Sequence, residues 1–374
     1  MNSPRLQRVH RYVALGLGPV IVAMGLTGAA LVFREELTAL FTPAVKIAQA
    51  GVPPGQYARI VAAVEKVEPG ARSLDIVPAQ RPDRATQVVV HGEFREHYLF
   101  VDPHDGRVVA DGERQWLPFA TFYELHRRLM LGLPGEYAVG VAGLALAFLG
   151  VSGLVMWWPR KLKQAFRIRW DGNRLAVSYD LHRCAGAAFA LLLILNAVIG
   201  ITMTFDAASV ALVDRVSGRS TPPPPTASSN AIAARRPLDD IIAAADRAFP
   251  GGHVVRIMIR DGNAPVVVRK RLPGENDTHG ANRVYVDAAS ATVVGTSPLA
   301  TQAPGNAMFE WTYPLHTGML VGIPYRLLLV IAGCVPLLSL VTGFIVWRSK
   351  ASRRLPTGGK AGSQGARRAS RAIP

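Results

Sequence analysis

Cysteine is nearly absent. The 374 residues hold two, Cys184 and Cys334, and both fall inside long uncharged runs, where they read as structural thiols. This excludes a disulfide framework for the rest of the chain and any cysteine-based zinc site. A catalytic triad, a P-loop and a Gly-rich dinucleotide fingerprint are also missing. Acidic residues are scarce, 26 Asp+Glu against 42 Lys+Arg, leaving a formal charge of +16. Such a balance suits a nucleic-acid partner, a membrane surface, or a membrane protein with basic cytoplasmic loops.

What is abundant decides among these. Four runs carry no charged residue: Tyr12 to Phe33, Tyr137 to Trp158, Cys184 to Phe205 and Leu327 to Trp347. Each reaches the length of about 20 residues that crosses a hydrocarbon core of roughly 30 Å. The chain therefore reads as an integral membrane protein in contact with lipid, with no nucleic-acid partner. The first run is longer than the apolar part of a signal peptide, and its counterpart at Cys184 to Phe205 lies mid-chain.

The runs are matched in pairs. Setting His10 on His182 puts Gly28 on Gly200 and Phe33 on Phe205 without a gap. Setting His126 on His316 aligns Gly132 with Gly322, Pro134 with Pro324, Gly143 with Gly333, Gly153 with Gly343, and Trp157 with Trp347. This is an internal repeat in which a histidine precedes every apolar segment. Basic residues gather before the first span (Arg5, Arg8, Arg11), between the second and third (Arg160, Lys161, Lys163, Arg167, Arg169, Arg174) and after the fourth (Arg348, Lys350, Arg353, Arg354). The positive-inside rule puts both termini and the middle loop in the cytoplasm, and the two long segments outside, in the periplasm of a Gram-negative cell.

Each outer segment follows one plan. Helical spacing over Gln56 to Val67 is followed by strand-like runs at Ser73 to Val77, Thr86 to His91, His97 to Val101 and Arg107 to Ala110. After the linker Thr221 to Asn230, a helix over Leu238 to Phe249 precedes runs at Val254 to Arg260, Pro265 to Arg271 and Arg283 to Val286. The expected fold class is a membrane α+β protein of two repeats, each with two spans and a small helix-plus-antiparallel-sheet domain. Its segments are a cytoplasmic N-terminus (1–11), a first span (12–33), an outer domain (34–118), a pre-helix with the second span (119–158) and a basic loop (159–180). The third span (181–205), a second outer domain (206–308), a pre-helix with the fourth span (309–347) and a disordered basic tail (348–374) follow.

Ionisable groups at the membrane are costly and usually functional, and histidine is a common axial ligand of haem. On this topology His10 and His182 share the cytoplasmic face, and His126 and His316 the outer one. Gly and Pro after the latter two mark a break, so both are expected on short helices at the outer face. Two pairs in matched register point to two bis-histidine b-type haems and an electron path across the membrane. Arg11, Arg127 and Arg183 each follow a histidine and suit haem propionates. Of these, Arg127 carries most weight, because the positive-inside rule does not account for an arginine on the outer side. Gly28 and Gly200 lie 18 residues after His10 and His182, five turns along the same face, where they would make room for the outer haem. Met24 is an axial alternative, an ion pair between Glu136 and Arg326 is conceivable, and Asn196 is expected to bond to a neighbouring helix. His91, His97, His104, His253 and His279 read as solvated residues of the outer domains.

These stretches resemble the PepSY-associated transmembrane family. The carriers are Val9-His10-Arg11 with Gly25-Leu26-Thr27-Gly28, Leu125-His126-Arg127-Arg128 with Trp157-Trp158-Pro159-Arg160, Leu181-His182-Arg183, and Leu315-His316-Thr317-Gly318. The resemblance spans about residues 5 to 350, and both outer units resemble PepSY domains. It implies an inner-membrane haem protein of the ferrisiderophore-reductase type, an oxidoreductase that reduces ferric iron in a siderophore, or another periplasmic ferric acceptor, and so releases ferrous iron. No flavin or nicotinamide domain is fused here, so quinol and a cytoplasmic flavoprotein or reduced flavin both stay open as electron donor. Two other readings compete: a non-redox sensor or regulator whose outer domains bind a peptide or protein, and a proton-relay transporter. The transporter needs polar mid-membrane faces, and the spans offer little beyond Asn196, Ser152 and Ser339.

Overall fold

Helix α1 (Pro4–Leu31) starts at Ser3, whose hydroxyl caps the Leu6 amide, with proline at the first helical position. The computed structural model describes residues 3–34, 36–37, 47, 55–79, 83–92, 96–113, 118–158, 165–220, 222–227 and 236–352. Arg160, Lys161 and Lys163 of the basic loop, Thr221 and 228–230 of the linker, and the tail from Arg353 lie outside these residues.

After α1 come α2 (Gln56–Val67) and strands β1 (Leu74–Val77), β2 (Thr86–His91), β3 (Glu96–Val101) and β4 (Val108–Glu113). Next are α3 (Pro118–Arg128), α4 (Gly132–Trp157), α5 (Arg174–Thr204), α6 (Asp206–Ser217) and α7 (Leu238–Ala248). Strands β5 (His253–Ile259), β6 (Val266–Arg271), β7 (Asn282–Val286) and β8 (Val293–Ser297) lead to α8 (Pro304–Ala307), α9 (Phe309–Thr317) and α10 (Ile323–Ser352). Four helices, α1, α4, α5 and α10, are long and apolar enough to cross a membrane. Strand β8 and helix α6 were not anticipated. Helix α6 continues directly from α5 at Phe205, the last apolar residue of the span.

The eight strands form one antiparallel sheet, in the order β4-β3-β2-β1-β5-β6-β7-β8. The two meanders join where β1 pairs with β5, Leu74 opposite Ile259 and Ile76 opposite Ile257. Helices α2 and α7 cover one face. Ile60, Ile76, Leu99, Ile241 and Ile257 are fully buried in this single core, each contributing roughly 1.5–3 kcal/mol. A shared core makes the two helix-and-sheet units one folded body. Their turns correspond too: the Asp102 carboxylate accepts from the His104 amide, and that of Asp287 accepts from the Ala289 and Ser290 amides.

The seam carries charge on its other face. Asp75, buried on β1, is 2.6 Å from Arg260, 3.6 Å from Arg256 and 3.5 Å from His91. The carboxylates of Asp75 and then Glu96, each 3.5 Å away, lift His91 to about 9 against the opposing effect of burial. A raised histidine stabilises the fold fully below its unfolded value, near pH 6.5, and loses that contribution as pH climbs through the folded value. The thermal midpoint of the sheet is therefore expected to fall between about pH 7 and 9.5 in the wild type, and to stay flatter in His91→Gln. Parallel curves for the two would contradict the assignment.

In the bundle, α1 packs on α10, α4 and α3, while α5 packs on α4 and α10. Small residues set the crossings. A Cβ on Gly25 would stand 2.5 Å from the Gly333 carbonyl, and one on Gly333 2.5 Å from the Gly25 carbonyl, so α1 and α10 touch backbone to backbone.

Candidate functional site: four histidines on two levels

Every one of the four histidines meets a glycine on a neighbouring span. His126, on α3, places Nδ1 2.9 Å from the Met24 carbonyl and 3.3 Å from the Thr27 hydroxyl. Its Cε1 is 2.9 Å from where a Cβ on Gly28 would stand. His182 repeats this against α10, with Nδ1 2.9 Å from the Ser339 carbonyl, 3.3 Å from Thr342 Oγ1, and Cε1 3.2 Å from a Cβ on Gly343. His10 meets α4, its Nδ1 2.7 Å from Ser152 Oγ and its Cε1 3.8 Å from a Cβ on Gly153. His316, on α9, meets α5 at Gly200, 3.6 Å from its Cβ position.

Proton accounting assigns two tautomers. Thr27 donates to the Ala23 carbonyl and Thr342 to that of Leu338, so each hydroxyl has only lone pairs left for the imidazole. Carbonyls likewise only accept. His126 and His182, each facing a carbonyl, therefore donate through Nδ1–H and keep the Nε2 lone pair free, the arrangement of a metal-binding histidine, while His10 shares its Nδ1 with the Ser152 hydroxyl, which can serve as donor or acceptor. At His316 the pattern breaks, because Ile199 stands where the other three glycines are preceded by Thr or Ser. Its Nδ1 is buried beside the Asn196 backbone without closing a hydrogen bond.

The histidines form two groups. The rings of His126 and His316 have centroids 6.1 Å apart and planes inclined at 49°. His10 lies close enough to His182 to interact with it electrostatically. The levels are far apart: 18 residues separate His10 from Gly28 on α1, and His182 from Gly200 on α5, about 27 Å at 1.5 Å per residue. No group of three or more His, Cys, Asp or Glu is placed to hold a metal ion among the described residues.

Gly28 faces the imidazole of His126, and Gly200 that of His316. Arg127 donates to the Tyr123 hydroxyl and to Glu136, which also binds Arg128. Glu136 does not pair with Arg326. The latter donates to Glu36 and to the Val32 carbonyl, because α10 packs on the end of α1. Asn196 donates to Leu192 of its own helix, and its side chain also lies beside the Tyr325 hydroxyl of α10, as expected of a contact to a neighbouring helix. Met24 contributes its carbonyl. His97 is no free loop residue: it lies on β3, bonded to Glu68 at 2.7 Å and to Asp111.

Arg11 and Arg183, which the positive-inside rule had explained away, each carry a buried Nε with no acceptor among the described residues. Beyond Nε, Arg183 donates to the Arg167 carbonyl and lies 3.7 Å from Asp180. Four residues before His316, Thr312 Oγ1 is likewise buried without a partner among the described residues. Sequence reasoning missed the role of Thr27, Ser152 and Thr342, although a hydroxyl residue immediately before three of the four aligned glycines was the available signal.

A family model described as PepSY-associated TM region matches residues 7–350. No curated protein matches the chain. The matched stretch holds all four histidines, all four spans and the whole eight-stranded sheet, and the chain belongs to the PepSY-associated TM region family.

Proposed function

We propose that the chain is a membrane electron-transfer protein that holds two b-type haems, one between His10 and His182 and one between His126 and His316. The observation that carries this reading is the 6.1 Å between the His126 and His316 ring centres. A histidine nitrogen sits roughly 2 Å from a bound metal, and the ring centre lies about 1.1 Å beyond it. Two imidazoles on opposite sides of one iron therefore have centres about 6 Å apart.

The donor set agrees. Two nitrogens per level are too few for a bare ion, and suffice only where the cofactor supplies the remaining donors. Haem brings those, and with them the reversible one-electron change of its iron. The chain's own residues do the rest. The Met24 and Ser339 carbonyls hold two imidazoles in the tautomer that presents Nε2, Ser152 orients a third, and the orphaned Nε atoms of Arg11 and Arg183 suit a propionate at the inner level. At the outer level, Thr312 offers an unused hydroxyl.

In this reading the bundle end with Arg5, Arg8, Arg11, Arg167, Arg169, Arg174 and Arg348 faces the cytoplasm of a bacterial inner membrane. The sheet then lies in the periplasm as two PepSY-like repeats. Electrons supplied by quinol or a reduced flavin on the inner side reach ferric iron in a periplasmic chelate, a siderophore above all, one per ferric ion. The protein purified from cells supplied with haem is expected to show a low-spin b-type spectrum and two haems per chain by pyridine haemochrome. A colourless protein would remove the reading.

A further inference from the structure

The face of the sheet opposite α2 and α7 carries a row of arginines. Arg256 on β5 stands opposite Arg269 on β6, and Arg269 opposite Arg283 on β7. Neighbouring strands are about 4.8 Å apart, so three guanidinium groups cross about 10 Å of one face. Like charges directly opposite each other destabilise a sheet, and nothing in the core requires them there. The available carboxylates do not balance the row. Asp75 is shared among Arg260, Arg256 and His91. Asp277 is 3.4 Å from Arg269 and 3.2 Å from His279. Arg256 Nε is buried without an acceptor, and Arg283 makes no hydrogen bond or ion pair among the described residues. Arg269 also donates to the Gly280 carbonyl, and burial above all, with smaller effects of Arg283 and Arg256, pulls its guanidinium down to about 10 against Asp277.

The row is tied to the outer histidine level. Asp277 and His279 belong to the β6–β7 connection, whose Asn276 amide donates to Glu310 of α9 at 2.5 Å. The His279 ring stands edge-on to Tyr313, centroids 4.3 Å apart, one helical turn from His316.

We infer that Arg256, Arg269 and Arg283 form a binding site for a small polyanion that presents two or three carboxylate-type groups within about 10 Å. Guanidinium forks take such groups through paired hydrogen bonds, and three in a row suit one multiply charged chelator better than single anions. The inference deepens the electron-transfer reading, on which it rests only for the role of the ligand: it makes the acceptor an anionic iron chelate that docks beside α9.

The test is calorimetric titration of the purified full chain, in a non-ionic detergent, with ferric citrate and with iron-free citrate. Wild type is expected to bind both, more weakly as salt rises. Arg283→Glu is expected to weaken binding by at least about tenfold, and Arg283→Lys to keep most of it. Without ligand, Arg283→Glu should melt no lower than wild type, because it relieves repulsion along the row. Citrate binding unchanged in Arg283→Glu, or none to wild type at millimolar concentration, would overturn the site. Citrate binding by a protein without a haem spectrum would leave the site standing and remove the electron-transfer reading. A haem spectrum without citrate binding would do the reverse.

Discussion

Replacing Gly333 with valine is expected to prevent the bundle from closing. The first added carbon would stand 2.5 Å from the Gly25 carbonyl and 2.9 Å from the Ala29 methyl, and a backbone carbonyl within a helix cannot swing aside. Overpacking against side chains typically costs about 1–3 kcal/mol, and a backbone obstacle removes the relaxation that keeps the figure so low. Helices α1 and α10 would have to separate. Helix α1 carries His10 and presents Gly28 to His126, while α10 presents Gly343 to His182, so both levels would be disturbed together. Gly25→Val should behave the same way from the other side. Size-exclusion chromatography and thermal melting of the purified variants check this. A monodisperse Gly333→Val protein with a wild-type melting temperature would contradict the crossing.

Alanine at the four histidine-facing glycines should give graded effects. The added methyl would stand 2.9 Å from His126 at Gly28, 3.2 Å from His182 at Gly343, 3.6 Å from His316 at Gly200 and 3.8 Å from His10 at Gly153. The last two distances are ordinary van der Waals contacts. At Gly28 the imidazole must move, and its bonds to the Met24 carbonyl and Thr27 hydroxyl hold it from one side. Gly28→Ala is therefore expected to lose most of the haem at the outer level, Gly343→Ala part of that at the inner level, and the other two almost none. Pyridine haemochrome on the four variants reads this directly. Equal loss in all four, or none in Gly28→Ala, would show that the glycines serve helix packing alone.

Much of this was legible in the chain. The spans follow from uncharged runs of membrane length, and most strands from alternation flanked by Gly and Pro turns, as at Asp102 to Gly106. The histidines were found through register: His10 with Gly28 and His182 with Gly200 repeat at a spacing of five helical turns. What stayed hidden depends on contacts between distant segments. Pairing of Leu74 with Ile259, which merges two sheets into one, leaves no local trace. Glu136 meets Arg127 and Arg128 only because the chain turns back between α3 and α4, with Leu129 and Met130 at φ of 50° and 60°, conformations that a propensity argument rejects for such residues. Gly28 repeats with His10 in the sequence, but which neighbour fills the space beside it depends on how α3 folds back against α1. The arginine row is invisible for the same reason, since Arg256, Arg269 and Arg283 become neighbours only through strand register.

The central claim is that four histidines make two separate two-ligand sites. Haem content and reduced-minus-oxidised spectra of two double variants, His10→Ala with His182→Ala and His126→Ala with His316→Ala, test it most directly. The account predicts two haems in wild type and one low-spin haem in each double variant, with a different midpoint potential in each, because the surviving sites lie at opposite ends of the bundle. Two haems remaining in either double variant, or both lost together from a chain that still folds, would contradict it.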